Sequence, residues 1–435
     1  MDEIEKIASF WKEQGKYIFL RGEDNVLILP PNRVYKINKT GYMLISYLQQ
    51  GLSVQALFSS FTNNEQYTQS LLFFNILYGL CTGSTEAQDL LERIPFTFDY
   101  TSLPILGEIA VTYRCNNRCL FCYAGCNSDD KLLKKKTQKK EMNTKELFRI
   151  IDIFKHDAKI PFFSFTGGEP LLREDLESCI SYAVSKDLFV NLVSNGTLAT
   201  KERAVSLFNA GLRTAQISVE SWDEDMHNYL TGSPHAFKAT LDGIQNLMDA
   251  GIAVQTNTTI TNRSADHMMR MPSFLKTLGI KRFAMNLFIP SGSGLFHKEL
   301  FIPYDQIGEI VDGVRKEAFN EGLTFYWYSP TPFCFYNPVA KGLGNKCCAA
   351  ADGLISISPS GNILPCSSWD YSLGNVLRKG FKKTWFSKDA LKCKNKHYAP
   401  EICKTCSSFT ACQGACPLYW QYCGTDLLSN QRSKV

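Results

Sequence analysis

Strands and helices alternate along the middle of this chain, and this alternation constrains its fold more than any other feature. Apolar runs typical of buried strands recur between residues 105 and 305, separated by helical patterns. The predicted strands are 108–112, 162–165, 189–193, 215–219, 254–260 and 282–288. Strands separated by helices pair in parallel through right-handed crossovers. The sequence therefore predicts an α/β fold, a partial (β/α)6 barrel, with its site at the carboxyl ends of the strands.

The chain has 435 residues, which suggests two or three domains at about 150 residues each. Residues 1–95 combine short strands with helical patterns, which predicts a small α+β, winged-helix-like domain. Residues 96–104 read as a linker because they hold Pro and Ser and lack a period. The barrel occupies 105–305, and a cysteine-rich iron–sulfur domain is predicted for 320–435.

Composition excludes several classes of protein. Apolar residues make up 44% of the chain, which argues against disorder, and a net charge of +5 gives no case for nucleic acid. The polar, acidic N-terminus does not resemble a secretory signal, and the longest apolar stretch, 71–81, is too short to span a bilayer. We therefore expect a cytoplasmic protein without membrane contact. The lysine-rich stretch 131–140 is predicted to be a solvated loop. Sixteen cysteines in the reducing cytosol are expected to bind metal rather than form disulfides.

Three cysteines follow the first predicted strand with the spacing C-x3-C-x2-C: Cys115, Cys119 and Cys122. Three thiolates can hold three irons of a 4Fe–4S cube and leave the fourth iron open to an outside ligand. The alternative is a zinc site with one further ligand. Cys126 lies close by, and we expect it outside the cluster because a fourth thiolate would close the open iron.

Small polar residues follow the next predicted strands. A Gly167-Gly168-Glu169-Pro170 turn comes after the second strand, and glycines let a backbone approach a ligand closely. Ser194 and Asn195 follow the third strand, and Ser218 and Glu220 belong to the fourth. Read singly, each is more often a turn or capping residue. Together they are predicted to line one rim of one sheet.

These residues resemble the radical S-adenosylmethionine (SAM) superfamily across about 105–305. The resemblance rests on the cysteine triplet, with Phe121 before its last member, and on the Gly-Gly-Glu-Pro turn. The resemblance implies that SAM chelates the open iron of the cluster. It also implies that the reduced cluster cleaves SAM to a 5′-deoxyadenosyl radical. It also implies a SAM pocket formed by Phe121, Gly167, Gly168, Glu169, Ser194, Asn195 and Ser218. An electron donor such as flavodoxin or ferredoxin would then be a partner.

Seven more cysteines follow in a fixed order: Cys348, Cys366, Cys403, Cys406, Cys412, Cys416 and Cys423. Alone, the pattern fits two iron–sulfur clusters or structural zinc about equally well. With the first triplet it resembles the SPASM extension of radical SAM maturases. That resemblance implies two auxiliary 4Fe–4S clusters, and so three clusters in all. One would use Cys348, Cys366 and Cys416, and the other Cys403, Cys406, Cys412 and Cys423.

The fourth ligand of the first auxiliary cluster stays open between Cys347, Cys334 and no protein ligand. In the sulfatase-maturing branch an Asp follows the Gly-x4-Cys cysteine, whereas Ser367 follows Cys366 here. This difference argues against formylglycine formation.

The N-terminal region resembles the RiPP recognition element, a small peptide-binding domain. The resembling residues are 27–30, with 34–38 and a helix opening at Thr40 and Gly41. The resemblance implies that the leader of a precursor peptide adds a strand to an exposed sheet edge. A DNA-binding winged helix is disfavoured because the segment 51–61 holds no Lys or Arg.

The sequence thus predicts a radical SAM maturase that crosslinks a ribosomally synthesised peptide, with a thioether favoured over a carbon–carbon bond. The first alternative is a radical SAM enzyme that modifies a small cofactor or a haem precursor. The second is a zinc-stabilised binding protein without radical chemistry.

Overall fold

The computed structural model describes residues 3–29, 33–92 and 100–432, and the chain divides into two compact units, Met1–Ile105 and Leu106–Val435. Pro30, which belongs to the resemblance to the RiPP recognition element, lies outside the described residues. So do residues 96–99 of the predicted linker. The elements of the first unit are α1 Glu3–Gln14, β1 Phe19–Arg21, β2 Val26–Leu29, β3 Arg33–Lys36, α2 Lys39–Gln49, α3 Val54–Ser59, α4 Asn64–Thr82 and α5 Thr85–Asp89.

The first unit is a three-stranded antiparallel meander with helices packed around one core. The strand order is β1-β2-β3, and Ile28 of β2 faces Phe19 of β1 and Val34 of β3. The four residues of β2 are fully buried, as expected for the central strand of a covered sheet. Phe58 and Phe74 join them in the core.

A buried ion pair fixes the chain on its way out of the first unit. Arg21 pairs with Asp24 at 2.8 Å, and both side chains are almost inaccessible. The Arg21 guanidinium also donates to the carbonyls of Leu103 and Pro104, and Asp24 accepts from Ser102 N at 2.9 Å. Residues 102–104 of the predicted linker are therefore tightly held.

The second unit is built on one ten-stranded sheet. Its strands are β4 Leu106–Thr112, β5 Phe162–Gly167, β6 Phe189–Ser194, β7 Thr214–Ser218, β8 Ala253–Ile260, β9 Arg282–Leu287, β10 Thr324–Trp327, β11 Leu354–Ile357, β12 Asn362–Leu364 and β13 Gly374–Asn375. The order is β10-β9-β8-β7-β6-β5-β4-β11-β12-β13, and the pairs from β10 to β11 are parallel.

Helices and short 3₁₀ turns connect these strands. The helices are α6 Lys131–Thr137, α7 Thr144–His156, α8 Leu176–Ser185, α9 Lys201–Asn209, α10 Glu224–Thr231, α11 Ala236–Asp249, α12 Met271–Thr277, α13 Tyr304–Asn320, α14 Val376–Lys379, α15 Phe381–Trp385, α16 Lys388–Lys394, α17 Glu401–Lys404, α18 Phe409–Cys412, α19 Pro417–Cys423 and α20 Asp426–Arg432. The 3₁₀ turns are Gly15–Tyr17, Pro170–Leu172, Ala265–Arg270, Gly292–Phe296 and Lys298–Leu300.

The α/β class with a parallel core is confirmed, and the sheet extends further than the six predicted strands. Helix α13 and strand β10 add one more helix and parallel strand after the six predicted strands. Strand β11 adds a parallel strand beside β4. Segments 105–305 and 320–435 consequently share one sheet. The strand β10 has only four residues, and only Trp327 among them is buried, so it is too short and too exposed to stand out as a buried strand in the sequence.

The predicted lysine-rich loop is wrong, because residues Lys131–Thr137 form α6. Asp130 caps this helix by accepting from the amides of Leu132 and Leu133. Lys136 is buried, 3.7 Å from an Asp370 oxygen and 5.3 Å from the centre of the Tyr113 ring. A lysine with an apolar stem and a partner for its charge can be buried, and charge counting alone does not predict this. In the part of the chain that the structure describes, no helix combines the length and hydropathy needed to cross a bilayer.

Candidate functional site

The cysteine triplet lies on the loop that leaves β4, and the end of α10 holds that loop in place. Leu120 N donates to Leu230 O, and Arg118 N to Thr231 O, both at 3.0 Å. Gly232 follows with a φ of 61°, and a Cβ there would lie 2.5 Å from Arg118 O. Glycine is therefore needed for the helix end to approach the cysteine loop so closely.

The three thiols lie in one partly buried environment. Burial is the main cause that raises the pKa of Cys115 to about 12, and the negative charges of Glu169 and Cys122 act in the same direction. A hydrogen bond from the Cys126 thiol lowers the pKa of Cys122. Cys126 itself is buried behind the triplet with Tyr113 and Ala124. A thiol-rich donor set of this kind suits iron–sulfur chemistry.

The Gly-Gly-Glu turn packs directly on the start of the cysteine loop. Gly168 N donates to Thr112 O, and Glu169 N to Arg114 O, both at 2.8 Å. A Cβ on Gly168 would lie 2.2 Å from Arg114 O, so a larger residue would push the two strand exits apart. The glycines thereby bring Glu169 beside the cysteines.

Glu169 is the centre of a buried hydrogen-bond network. Its carboxylate accepts from Leu171 N at 2.9 Å, from Ser194 Oγ at 2.8 Å and from Asn195 N at 2.8 Å. The side-chain amide of Asn195 contacts Cys115 Sγ at 3.9 Å and donates to Asn116 Oδ1 at 2.9 Å. The structure thus brings Glu169, Ser194, Asn195 and Cys115 together.

The remaining predicted pocket residues lie elsewhere on the rim. Ser218 ends β7, in register with Asn257 of β8. Phe121 packs against Leu230 and Phe288 beneath the cysteine loop. Neither residue is shown in contact with Glu169.

Two acidic residues lie near the rim: Glu220, which was predicted to line it, and Glu141, which was not. Glu220 is buried, accepts from Thr259 N at 2.8 Å, and has its pKa raised to about 8 by burial. Glu141, just before α7, accepts from Thr112 Oγ1 at 2.6 Å and Tyr113 N at 3.2 Å, so it fixes the start of the cysteine loop. Glu141 belongs to no motif, and only its contacts reveal it.

The face of the sheet opposite the helices carries a row of polar side chains. A Cβ on Gly107 would touch Phe154 of α7, so Glu108, its neighbour in β4, projects to the helix-free face. Asn191 donates to Ser164 on this face at 3.2 Å. Further along, Gln255 bonds Gln216 at 3.3 Å and the Tyr328 hydroxyl at 2.9 Å. This surface offers amide and hydroxyl groups to a bound molecule.

The three cysteines that the SPASM resemblance assigns to the first auxiliary group lie near one another. Burial raises the pKa of Cys366, and its neighbours Cys348 and Cys416 raise it further. Ser367, beside Cys366, donates to Glu108 together with Ser356. Lys396, which is fully buried, donates to Cys348 O at 2.7 Å.

The second auxiliary group lies on the loops around α17 and α18. Cys406 N donates to Cys403 O at 3.0 Å, and Gly414 packs against Cys403. Cys412 lies near Cys406, and a negative charge on Cys406 would raise the pKa of Cys412. Among residues 3–29, 33–92 and 100–432, no three cysteine, histidine or acidic side chains converge on a point that would hold one metal ion. In a 4Fe–4S cube each thiolate binds a different iron, so the fit is judged on the sulfur donors. Three cysteines lie near one another in the first group, Cys348, Cys366 and Cys416, and three in the second, Cys403, Cys406 and Cys412.

The two alternative ligands of the first auxiliary group have different neighbours. Cys347 precedes Cys348 in the chain and lies near Cys348, Lys396 and Asp352. Cys334 neighbours Cys412 and Cys406.

Comparison with known proteins agrees with this geometry. Residues 109–275 match the radical SAM superfamily, and residues 347–407 match SPASM, an iron–sulfur cluster-binding domain. The chain therefore contains a radical SAM domain and a SPASM domain. This radical SAM protein therefore carries SAM-binding and iron–sulfur domains, which favours iron over the zinc alternative. When bound, the cluster of such a domain supplies the electron that cleaves SAM.

Relatives of this radical SAM protein act on different substrates. It is 27% identical to an AdoMet-dependent heme synthase of Oleidesulfovibrio alaskensis, over 63% of this chain and 72% of that protein. It is 25% identical to the PqqA peptide cyclase of Granulibacter bethesdensis, over 72% of this chain and 82% of that protein. Its fold matches the crystal structure of SuiB of Streptococcus suis bound to the precursor peptide SuiA, with a TM-score of 0.68. The two chains are 16% identical, and the match covers 93% of this chain and 95% of that chain.

The buried Glu169 carboxylate predicts a pH dependence of SAM binding. Burial raises its pKa to about 7, so it is largely protonated at pH 6 and ionised at pH 8. The radical SAM resemblance implies that Glu169 binds the ammonium group of SAM. That ligand favours the ionised carboxylate, so below pH 7 binding must first release a proton. We expect SAM affinity to rise about tenfold from pH 6 to 8 through this group.

Equilibrium dialysis of the reconstituted protein with labelled SAM would measure this dependence. Glu169→Gln is the control, because it removes the titrating group while other pH effects remain. Parallel pH profiles for the two proteins would exclude Glu169 as the source.

Proposed function

We propose that this protein modifies a ribosomally synthesised precursor peptide, whose leader binds the first unit and whose core receives a crosslink. A thioether is the favoured product. Joining a carbon radical to a thiol releases one proton and one electron, and the auxiliary thiolate groups would hold an iron–sulfur cluster able to accept that electron.

The observation that carries the proposal is the outer edge of β3. Ile37 N donates back to Asn25 O on the β2 side, whereas Lys36 N and Val34 O point the other way. The Tyr100 hydroxyl meets both of these groups, at 3.2 and 3.4 Å. No strand within the described residues pairs with this edge. An extended peptide that displaces the Tyr100 hydroxyl could therefore add a strand at this edge.

The likeness to SuiB supports the same proposal. Its match covers 93% of this chain, whereas the second unit supplies only about three quarters of the residues. Much of the first unit must therefore share the SuiB fold. SuiB was crystallised with its precursor peptide, and the fold alone is what the two proteins share at this identity.

The direct test is a reaction with the peptide encoded beside the gene. The reconstituted protein, SAM, a reductant and that peptide are incubated without oxygen, and the peptide is weighed by mass spectrometry. We expect 5′-deoxyadenosine together with a peptide lighter by two hydrogens. Deoxyadenosine formed beside a peptide of unchanged mass would refute the proposal.

The β3 edge gives a sharper prediction. Val34→Pro removes an N–H that points away from β2, so the β2–β3 pairing should survive. Losing one backbone hydrogen bond to the leader should weaken its binding about tenfold or more. Fluorescence anisotropy of a labelled leader would measure this. Val34→Ala is the matched control because it keeps the amide, and equal affinities for both variants would contradict strand addition at this edge.

Modification of a haem precursor is the second candidate, favoured by the relatives named heme synthase. Their likeness spans lengths that the second unit alone can supply, so it leaves the first unit unexplained. The uncharged amides on the helix-free face also suit peptide groups better than the carboxylates of a tetrapyrrole. Unchanged turnover of a porphyrin substrate by Val34→Pro would favour this candidate.

A further inference from the structure

Cys334 lies in a well-anchored turn that precedes the SPASM match. Phe335 N and Tyr336 N both donate to Pro332 O at 3.0 Å, which closes the turn. The Tyr336 hydroxyl donates to Asp312 of α13 at 2.9 Å. The Cys334 thiol is solvent-exposed, and its position is fixed by these neighbours on both sides.

This turn contacts the second auxiliary group directly. Phe333 N lies 3.4 Å from Cys412 Sγ and donates to it. Asn345 donates to Ala411 O at 3.0 Å, so the segment after the turn holds the same loop. Cys334 therefore adds a further thiol to the neighbourhood of Cys406 and Cys412.

Cys423, the ligand implied by the SPASM pattern, has different surroundings. It ends α19, where its thiol donates to Gly424 O at 3.3 Å. Its other neighbour is Tyr419, a fully buried residue whose hydroxyl accepts from Tyr304 N at 2.9 Å.

We propose that Cys334 supplies the fourth thiolate of the second auxiliary cluster, with Cys403, Cys406 and Cys412, and that Cys423 lies outside it. The ligand set then combines a turn before the SPASM match with Cys403 and Cys406 inside it and Cys412 just after it. Cys334 is thereby removed from the candidates for the first auxiliary cluster. The assignment concerns the cluster and not the substrate, so its failure would leave the peptide proposal untouched.

Thiol footprinting of the wild-type chain tests the assignment without any substitution. Full-length protein is treated with iodoacetamide before and after anaerobic cluster reconstitution, and each cysteine is quantified by mass spectrometry. We expect Cys334 to be labelled in the cluster-free protein and protected at least tenfold in the loaded protein. Cys423 should react equally in both. Equal labelling of Cys334 in the two states would overturn the proposal.

Two variants separate ligation from simple shielding. Cys334→Ala and Cys423→Ala are each made in a chain whose radical SAM triplet is already alanine, so that iron reports on the auxiliary sites alone. Iron and sulfide contents and the electron paramagnetic resonance spectrum of the reduced protein are compared. We expect Cys334→Ala to lose iron and one cluster signal, and Cys423→Ala to keep both. A full complement in Cys334→Ala, or a loss confined to Cys423→Ala, would overturn the assignment.

Discussion

Replacing Cys122 with alanine is expected to abolish SAM cleavage. Two thiolates cannot hold three irons of a cube, so the open iron and its electron would both be lost. Enzymes accelerate reactions at least about a millionfold, and no other described group can replace this chemistry, so activity should fall to background. The measurement is 5′-deoxyadenosine released by reconstituted, reduced protein, with SAM but no peptide.

Cys126 provides the matched control because it is a buried cysteine beside Cys122. It contacts the triplet through a hydrogen bond to the Cys122 thiol, and it packs against Tyr113 and Ala124. Cys126→Ala should keep iron and deoxyadenosine formation within a few-fold of the wild type, with about 1 kcal/mol of stability lost to a small cavity. If Cys126→Ala were as inactive as Cys122→Ala, Cys126 would be a fourth ligand and no iron would be open to SAM.

Local periodicity predicted most of the parallel sheet. The predicted strand 189–193 is Phe189–Ser194 in the structure, and 254–260 is Ala253–Ile260. These strands alternate fully between a face buried by helices and an open face, which is the signal that periodicity reads. Strand β11 gave no such signal, because its place beside β4 depends on a pairing across some 250 residues.

The candidate site divides in the same way between local and distant information. The Gly-Gly-Glu turn and the cysteine triplet were found because their spacing carries the chemistry. The contact of Ser367 with Glu108 joins β4 to the residue after Cys366, and neither residue belongs to a shared motif. The sequence also left Cys334 open as a ligand of the first auxiliary cluster, whereas folding places it beside Cys412. Spacing cannot predict which distant thiols meet.

Lys396→Met is expected to destabilise the second unit strongly. Lys396 is fully buried, pairs with Asp352 at 3.1 Å and donates to Cys348 O at 2.7 Å. It also adopts a φ of 55°, a conformation that non-glycine residues rarely hold without strong local contacts. Methionine keeps the aliphatic volume and removes the ammonium, which leaves a largely buried carboxylate unpaired. Breaking one half of such a pair costs about 3–5 kcal/mol.

Urea unfolding of the cluster-free protein, followed by circular dichroism, would measure the loss as a shift in the transition of the second unit. Lys392→Met is the matched control, since Lys392 pairs with Asp389 on the surface and should cost at most about 1 kcal/mol. The double variant Lys396→Met with Asp352→Asn should recover part of the loss, because no buried charge then remains unpaired. A double variant no more stable than Lys396→Met alone would show that the ammonium contributes through Cys348 O rather than through Asp352. Equal losses for Lys392→Met and Lys396→Met would contradict both roles.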